Sequence, residues 1–349
     1  MKYGLSAHGK TWAILPEYRH IAAGLFRWTD DEIEARVREM AYAAASPESR
    51  KTAPARPGIA VIPVHGVMEH RAGIFTALGF GTSTADLRSA IARLGANEDV
   101  NGIVLDIDSP GGEVEGLTEI AATIRAVREN KPVIASANTM AASAAYWLGS
   151  QASEFVAAPS ASVGSIGVFG VHEDISGLLE QEGVKVELIS AGPYKTEDSQ
   201  LGPLSDEARA HKQSLVDGYY AMFVDDVAAG RGVSPEAVES GYGQGRMLLA
   251  QRAREAGMID GIETLDATVG RLAGAIRGGA RVTASIGDGQ HTIVDGWTDP
   301  APEWAASTAN WTAPSPPAED VPEAPPADDR RAQIEEELEF RQRRAAKGR

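Results

Sequence analysis

Between residues 59 and 158 the sequence alternates short β-rich runs with segments of helical periodicity, and this alternation limits the possible folds more than any other feature. Ile59-Ala60-Val61-Ile62-Pro63-Val64-His65-Gly66 is the first β-rich run, followed by a helix over about 83–94 and a strand over 102–107. A turn at Asp108-Ser109-Pro110-Gly111-Gly112 leads into a helix over 114–129, whose Leu117, Ile120, Ala121 and Ile124 form one apolar stripe. The run 132–137 reads as a buried strand and 141–148 as the next helix. Strands are also expected at 155–158 and 184–189, with a helix at 175–182 between them. Strands separated by helices call for an α/β fold. From residue 205 the pattern turns mostly helical, over 205–229, 235–239, 248–256 and 263–276.

The flanks read differently. Residues 1–57 form an N-terminal arm and linker: Ile14-Leu15-Pro16, a helix from Thr29 or Asp30 to Ala45, and a proline-containing stretch over 49–57 that bounds a main domain of 58–277. Residues 278–312 hold a possible hairpin around Gly287-Asp288-Gly289 and the evenly spaced Trp297, Trp304 and Trp311. Pro300 and Pro302 interrupt any continuous helix across them, so they read as docking anchors or as aromatics packed on the body. Residues 313–349 combine a Pro/Ala/acid-rich linker with a charged helix, and the tail is expected to be largely disordered.

A formal charge of −16 argues against a general nucleic-acid or anionic-membrane binder, because phosphate binding relies on clustered Lys and Arg. The chain contains no cysteine, which rules out disulfides, thiolate chemistry and cysteine-ligated metals. No run approaches the roughly 20 apolar residues of a membrane span. With no paired His/Asp metal spacing and no nucleotide-binding loop, no metal and no cofactor is expected.

Candidate chemistry centres on Asn138-Thr139-Met140-Ala141-Ala142-Ser143-Ala144-Ala145, where a hydroxyl among alanines falls near a helix start. Backbone N–H groups there favour developing negative charge. Ser143 is a candidate nucleophile, against the plainer reading that it caps or packs. Gly111 and Gly112 offer N–H groups without side-chain obstruction, as an oxyanion hole requires, or they form an ordinary turn. Ser165 sits among glycines in Val163-Gly164-Ser165-Ile166-Gly167-Val168, and Lys195 follows Gly192-Pro193-Tyr194.

In order and approximate spacing, these four strings resemble the signal peptide peptidase A family of serine peptidases, over about 59–272. Within that family the chain is most similar to phage head-maturation proteases. The resemblance implies a Clp-protease/crotonase-like fold of repeated β-β-α units and a Ser-Lys dyad. Ser143 would attack the scissile carbonyl, Lys195 would act as general base, and Ser165 would orient the lysine. Gly111 or Gly112, with the N–H of Ala144, would stabilise the oxyanion. A lysine base must be neutral, which burial by a neighbouring subunit or by bound substrate would provide. Glu197 and Asp198 should therefore point away from it.

The resemblance further implies phage scaffold and head proteins as substrates, a homo-oligomer with active sites shared between subunits, and a location in the host cytoplasm within the procapsid. Neither a nucleic-acid nor a membrane partner is expected. His172 is an alternative base, with His65 and His70 behind it. The rival functions are a catalytically inactive capsid-assembly protein and a crotonase-like acyl-CoA enzyme.

Overall fold

Strands buried on both faces must pair in parallel beneath helices, and the sequence supplies such strands. The computed structural model describes residues 11–14, 58–77 and 79–278. The first elements are β1 (Thr11–Ile14), β2 (Ile59–His65), β3 (Val67–Glu69), α1 (Ile74–Ala77), β4 (Gly81–Ser83) and α2 (Thr84–Ala96). Next come β5 (Gly102–Ser109), β6 (Gly111–Glu113), α3 (Leu117–Arg128), β7 (Val133–Ala142), α4 (Ala144–Gly149), β8 (Glu154–Ala157), β9 (Ser162–Gly164) and β10 (Phe169–Gly170). The rest are α5 (Ser176–Gln181), α6 (Asp206–Arg231), α7 (Pro235–Gly241), β11 (Met247–Leu249), α8 (Ala250–Glu255), β12 (Gly261–Ile262) and α9 (Leu265–Arg277).

The larger sheet runs β11-β9-β7-β5-β2, with β8 beside β7 and β12 beside β8. Its pairings are parallel except that of β11 with β9. On one face Ile59, Val104, Ile134 and Val156 pack against Leu272 and Ala273 of α9. On the other, Ile103, Leu105, Ile107, Val133 and Ala135 meet Leu87 and Ile91 of α2 and Leu117, Ile120 and Ile124 of α3. Each buried Val, Leu or Ile side chain contributes about 1.5–3 kcal/mol relative to exposure. Serine caps fix the helix starts: Ser83 accepts from the Asp86 N–H at 3.2 Å, and Ser205 from the Ala208 N–H at 3.1 Å.

The smaller sheet, β10-β1-β6-β3-β4, joins segments far apart in sequence. Strand β1 lies in its interior, antiparallel both to β6 and to β10.

The α/β alternation and the helical second half match the sequence reading. Three local expectations do not. The predicted strand at 184–189 is not a strand: its alternating pattern suits a half-covered sheet, yet Val186, Leu188 and Ile189 are exposed and no strand lies beside them among the described residues. Gly111 and Gly112, expected in a turn, belong to β6, because β1 and β3 flank them with backbone partners. Strand β7 continues to Ala142, so the helix predicted from Ala141 starts at Ala144. Apart from Thr11–Ile14 the predicted N-terminal arm lies outside the described residues. So do the 29–45 helix, the hairpin, the three tryptophans, the linker and the charged helix.

Candidate active site

The far end of β7 pairs with β9, placing Ala142 opposite Gly164. Ser143 follows directly, with φ 54° and ψ −118°, an unfavourable region for an L side chain. Its N–H donates to the Gly164 carbonyl at 2.7 Å, and its own carbonyl accepts from the Trp147 N–H at 2.9 Å. Oγ lies 3.4 Å from the Gly167 carbonyl, and the residue is fully buried.

Strain of this kind, costing about 1–3 kcal/mol, persists only where the surroundings hold it. Helix α4 provides that hold. Trp147 stacks on Phe223 with ring centroids 4.4 Å apart and donates Nε1–H to Asp226 at 2.8 Å. The neighbouring Tyr146 donates its hydroxyl to the Met258 carbonyl at 2.9 Å, and burial pushes its phenol well above the usual tyrosine range.

Ser165 immediately follows Gly164, so the structure brings the two serines together. It too has positive φ, 55°, and its N–H donates to the Arg246 carbonyl at 3.0 Å. A side chain at Gly164 would place its Cβ 2.6 Å from that same carbonyl, which explains the glycine.

Strand β6 lies against α4. Gly111 has φ +99°, and its N–H donates to Ser109 Oγ at 3.2 Å. Gly112 admits no side chain, because a Cβ would lie 1.9 Å from the Met68 carbonyl oxygen. Both glycines thus have backbone reasons to be glycine apart from any oxyanion. Ala144 opens α4, where the first N–H groups lack intrahelical partners.

Lys195 is not brought to Ser143: it is exposed, and its amine makes no hydrogen bond or ion pair among the described residues. It sits in a stretch, 167–207, without a single buried residue. Exposed Leu178, Val186, Leu188, Ile189 and Tyr194 lie in the same stretch. The two nearby acids point elsewhere. Asp198 pairs with Lys212 at 2.7 Å, and Glu197 Oε1 lies 3.9 Å from His211 Nε2.

His172 Nδ1 lies 3.2 Å from Asp198 Oδ1 and Nε2 lies 3.0 Å from the Gly202 carbonyl, so both ring nitrogens are engaged away from Ser143. His65 contacts Asp106 at 3.2 Å, and His70 packs at Gly116. Among the described residues, no group of three or more His, Cys, Asp or Glu is placed to hold a metal. No helix among them is long and apolar enough to cross a membrane.

The sequence reading missed the Gly167 carbonyl at Ser143 Oγ, although the glycine-rich string around Ser165 signalled close backbone approach there. It also missed Ile14, which is 3% exposed and lies opposite Gly111. Nothing local in Thr11–Ile14 separates it from any short β-prone run.

Residues 125–276 match Peptidase family S49, and residues 65–163 match Clp protease, in keeping with the repeated β-β-α architecture. The Head-tail preconnector protein GP5 of Enterobacteria phage P21 is 34% identical over 224 residues, covering 64% of this chain and 44% of that protein. Capsid assembly protease C of Escherichia phage lambda is 33% identical over 228 residues, covering 62% of this chain and 52% of that protein. Protease 4 of Salmonella typhi is 34% identical over 197 residues, covering 56% of this chain and 31% of that protein. The chain thus spans about half or less of the length of these relatives.

Proposed function

With residues 125–276 matching Peptidase family S49, we propose that this chain is a serine endopeptidase with Ser143 as nucleophile and Lys195 as general base. The observation that carries the reading is the strained, packed-in turn of Ser143 beside Ser165, for which a purely structural serine has no use. In the first step Ser143 Oγ bonds to the scissile carbonyl carbon while a neutral Lys195 takes its proton. Lys195 then returns that proton to the departing amine, and water hydrolyses the acyl-enzyme by the reverse sequence. Gly111 or Gly112, with the N–H of Ala144, would supply the oxyanion donors.

Lys195 is exposed and makes no hydrogen bond to Ser143, so a working dyad requires closure of 167–207. The exposed apolar side chains of that stretch fit burial against a second copy of the chain, which would supply or desolvate Lys195. The phage relatives favour scaffold and head proteins as substrates, cut inside a procapsid in the host cytoplasm.

The test is intact-mass analysis after co-expression with a candidate scaffold, comparing wild type with Ser143→Ala and Lys195→Ala. Cleavage lost in both variants supports the dyad. Fragments persisting in both, with host proteases excluded, would move the reading to another nucleophile or to an assembly protein.

A further inference from the structure

We infer that the chain's own segment Thr11–Ile14 occupies the peptide-binding cleft and competes there with substrate, an inference that rests on Ser143 being the nucleophile. Strand β1 is flanked on both sides, by Gly111–Glu113 with Ile14 opposite Gly111, and by Phe169–Gly170 with Trp12 opposite Phe169. Continuing the second register by two residues sets Ile14 level with Gly167, whose carbonyl lies 3.4 Å from Ser143 Oγ. Ile14 thus lies between Gly111, on the strand that packs against the helix following Ser143, and the extrapolated position of Gly167. Both Ile14 and Ser143 are buried.

This is the placement an extended peptide substrate needs. Main-chain ladders on both edges hold it, and one of its side chains, Ile14, is buried. Strand β6 also pairs with β3, so that wall stands without β1, whereas β10 has β1 as its one ladder partner among the described residues and otherwise lies against α6. The cleft accordingly binds extended peptides antiparallel to both walls, with an isoleucine-sized aliphatic residue at the subsite nearest Ser143. The resident strand holds that place until it is displaced.

The test is the rate at which a fluorophosphonate probe modifies Ser143, read by intact mass, in wild type, Ala13→Pro and Ile14→Asp, with Ser143→Ala as blank. In a strand flanked on both sides each N–H faces one neighbour, so proline at 13 removes a ladder donor. Aspartate at 14 places a charge in the dry subsite. A strand seated nine-tenths of the time predicts labelling about tenfold faster in both variants. A synthetic peptide copying residues 9–18 should slow the variants back toward the wild-type rate. Loss of residues 1–14 from wild type but not from Ser143→Ala would also support the inference, since only a strand in substrate register is cut there. Equal rates in all three chains, with residues 1–14 attached and melting unchanged, overturn it while leaving Ser143 a nucleophile. Absence of labelling in every chain removes the peptidase reading and this inference together.

Discussion

The N–H of Ser143 donates to the carbonyl of Gly164 at 2.7 Å, tying the turn after β7 to the residue that precedes Ser165. Both serines have positive φ, 54° and 55°, so the backbone is strained on each side of this bond. Replacing Ser143 by glycine relieves strain that alanine does not. We expect Ser143→Gly to be more stable than Ser143→Ala by about 1 kcal/mol in urea unfolding, with both lacking peptidase activity. Equal midpoints would mean that the turn carries no strain.

The nucleophile's position depends on side chains that never meet substrate. Trp147→Ala removes the stack on Phe223 and the hydrogen bond to Asp226, and should cost about 3–5 kcal/mol. Trp147→Phe keeps most of the volume and should cost about 1–2 kcal/mol, mainly from the one Asp226 oxygen that loses its donor while the other keeps Arg125 at 2.8 Å. Chemical denaturation distinguishes the two, and a small loss for alanine would show that α4 is held elsewhere.

Glycine substitutions separate backbone need from oxyanion chemistry. Gly112→Ala should cost about 3 kcal/mol because its Cβ meets the Met68 carbonyl oxygen, and Gly111→Ala about 1–3 kcal/mol through its φ of +99°. Gly167→Ala, with nothing within 4 Å of the added carbon, should stay within about 0.5 kcal/mol. Thermal melts of the three variants test this order, and a stable Gly112→Ala would contradict the close approach of β3.

If a neighbouring copy completes the dyad, Ser143→Ala and Lys195→Ala proteins should restore cleavage when mixed and reassembled. Each mixed pair then contains one intact Ser-Lys combination. No recovery, despite co-assembly verified by native mass, would place the lysine within the same chain as its serine.

The hydrogen bond that His65 donates to Asp106, helped by that carboxylate's charge and by Asp108, raises His65 above the ordinary histidine value of 6.5. Because the folded-state value is the higher one, the contact stabilises the fold fully below about pH 6.5, and the contribution fades as pH rises through the folded value. NMR titration should find the His65 midpoint raised in wild type and returned toward the ordinary range in Asp106→Asn. An unchanged midpoint would rule out Asp106 as the cause.

By itself the sequence determined the α/β alternation, the helical second half and the strings that hold Ser143, Ser165 and the paired glycines, because hydrophobic period and small-residue clusters are local properties. Tertiary structure decided what depends on neighbours distant in the chain. Whether 184–189 forms a strand turned on the presence of a partner strand, which its alternating side chains could not report. That Gly111 and Gly112 lie in β6 followed from Met68 and from Ala13 and Ile14, respectively some forty and a hundred positions upstream. The conformation of Ser143 came from Gly164, and the seat of Thr11–Ile14 from two walls that meet only after folding. Strand pairing joins backbone groups that every residue carries, so the sequence holds little record of which distant segment will answer.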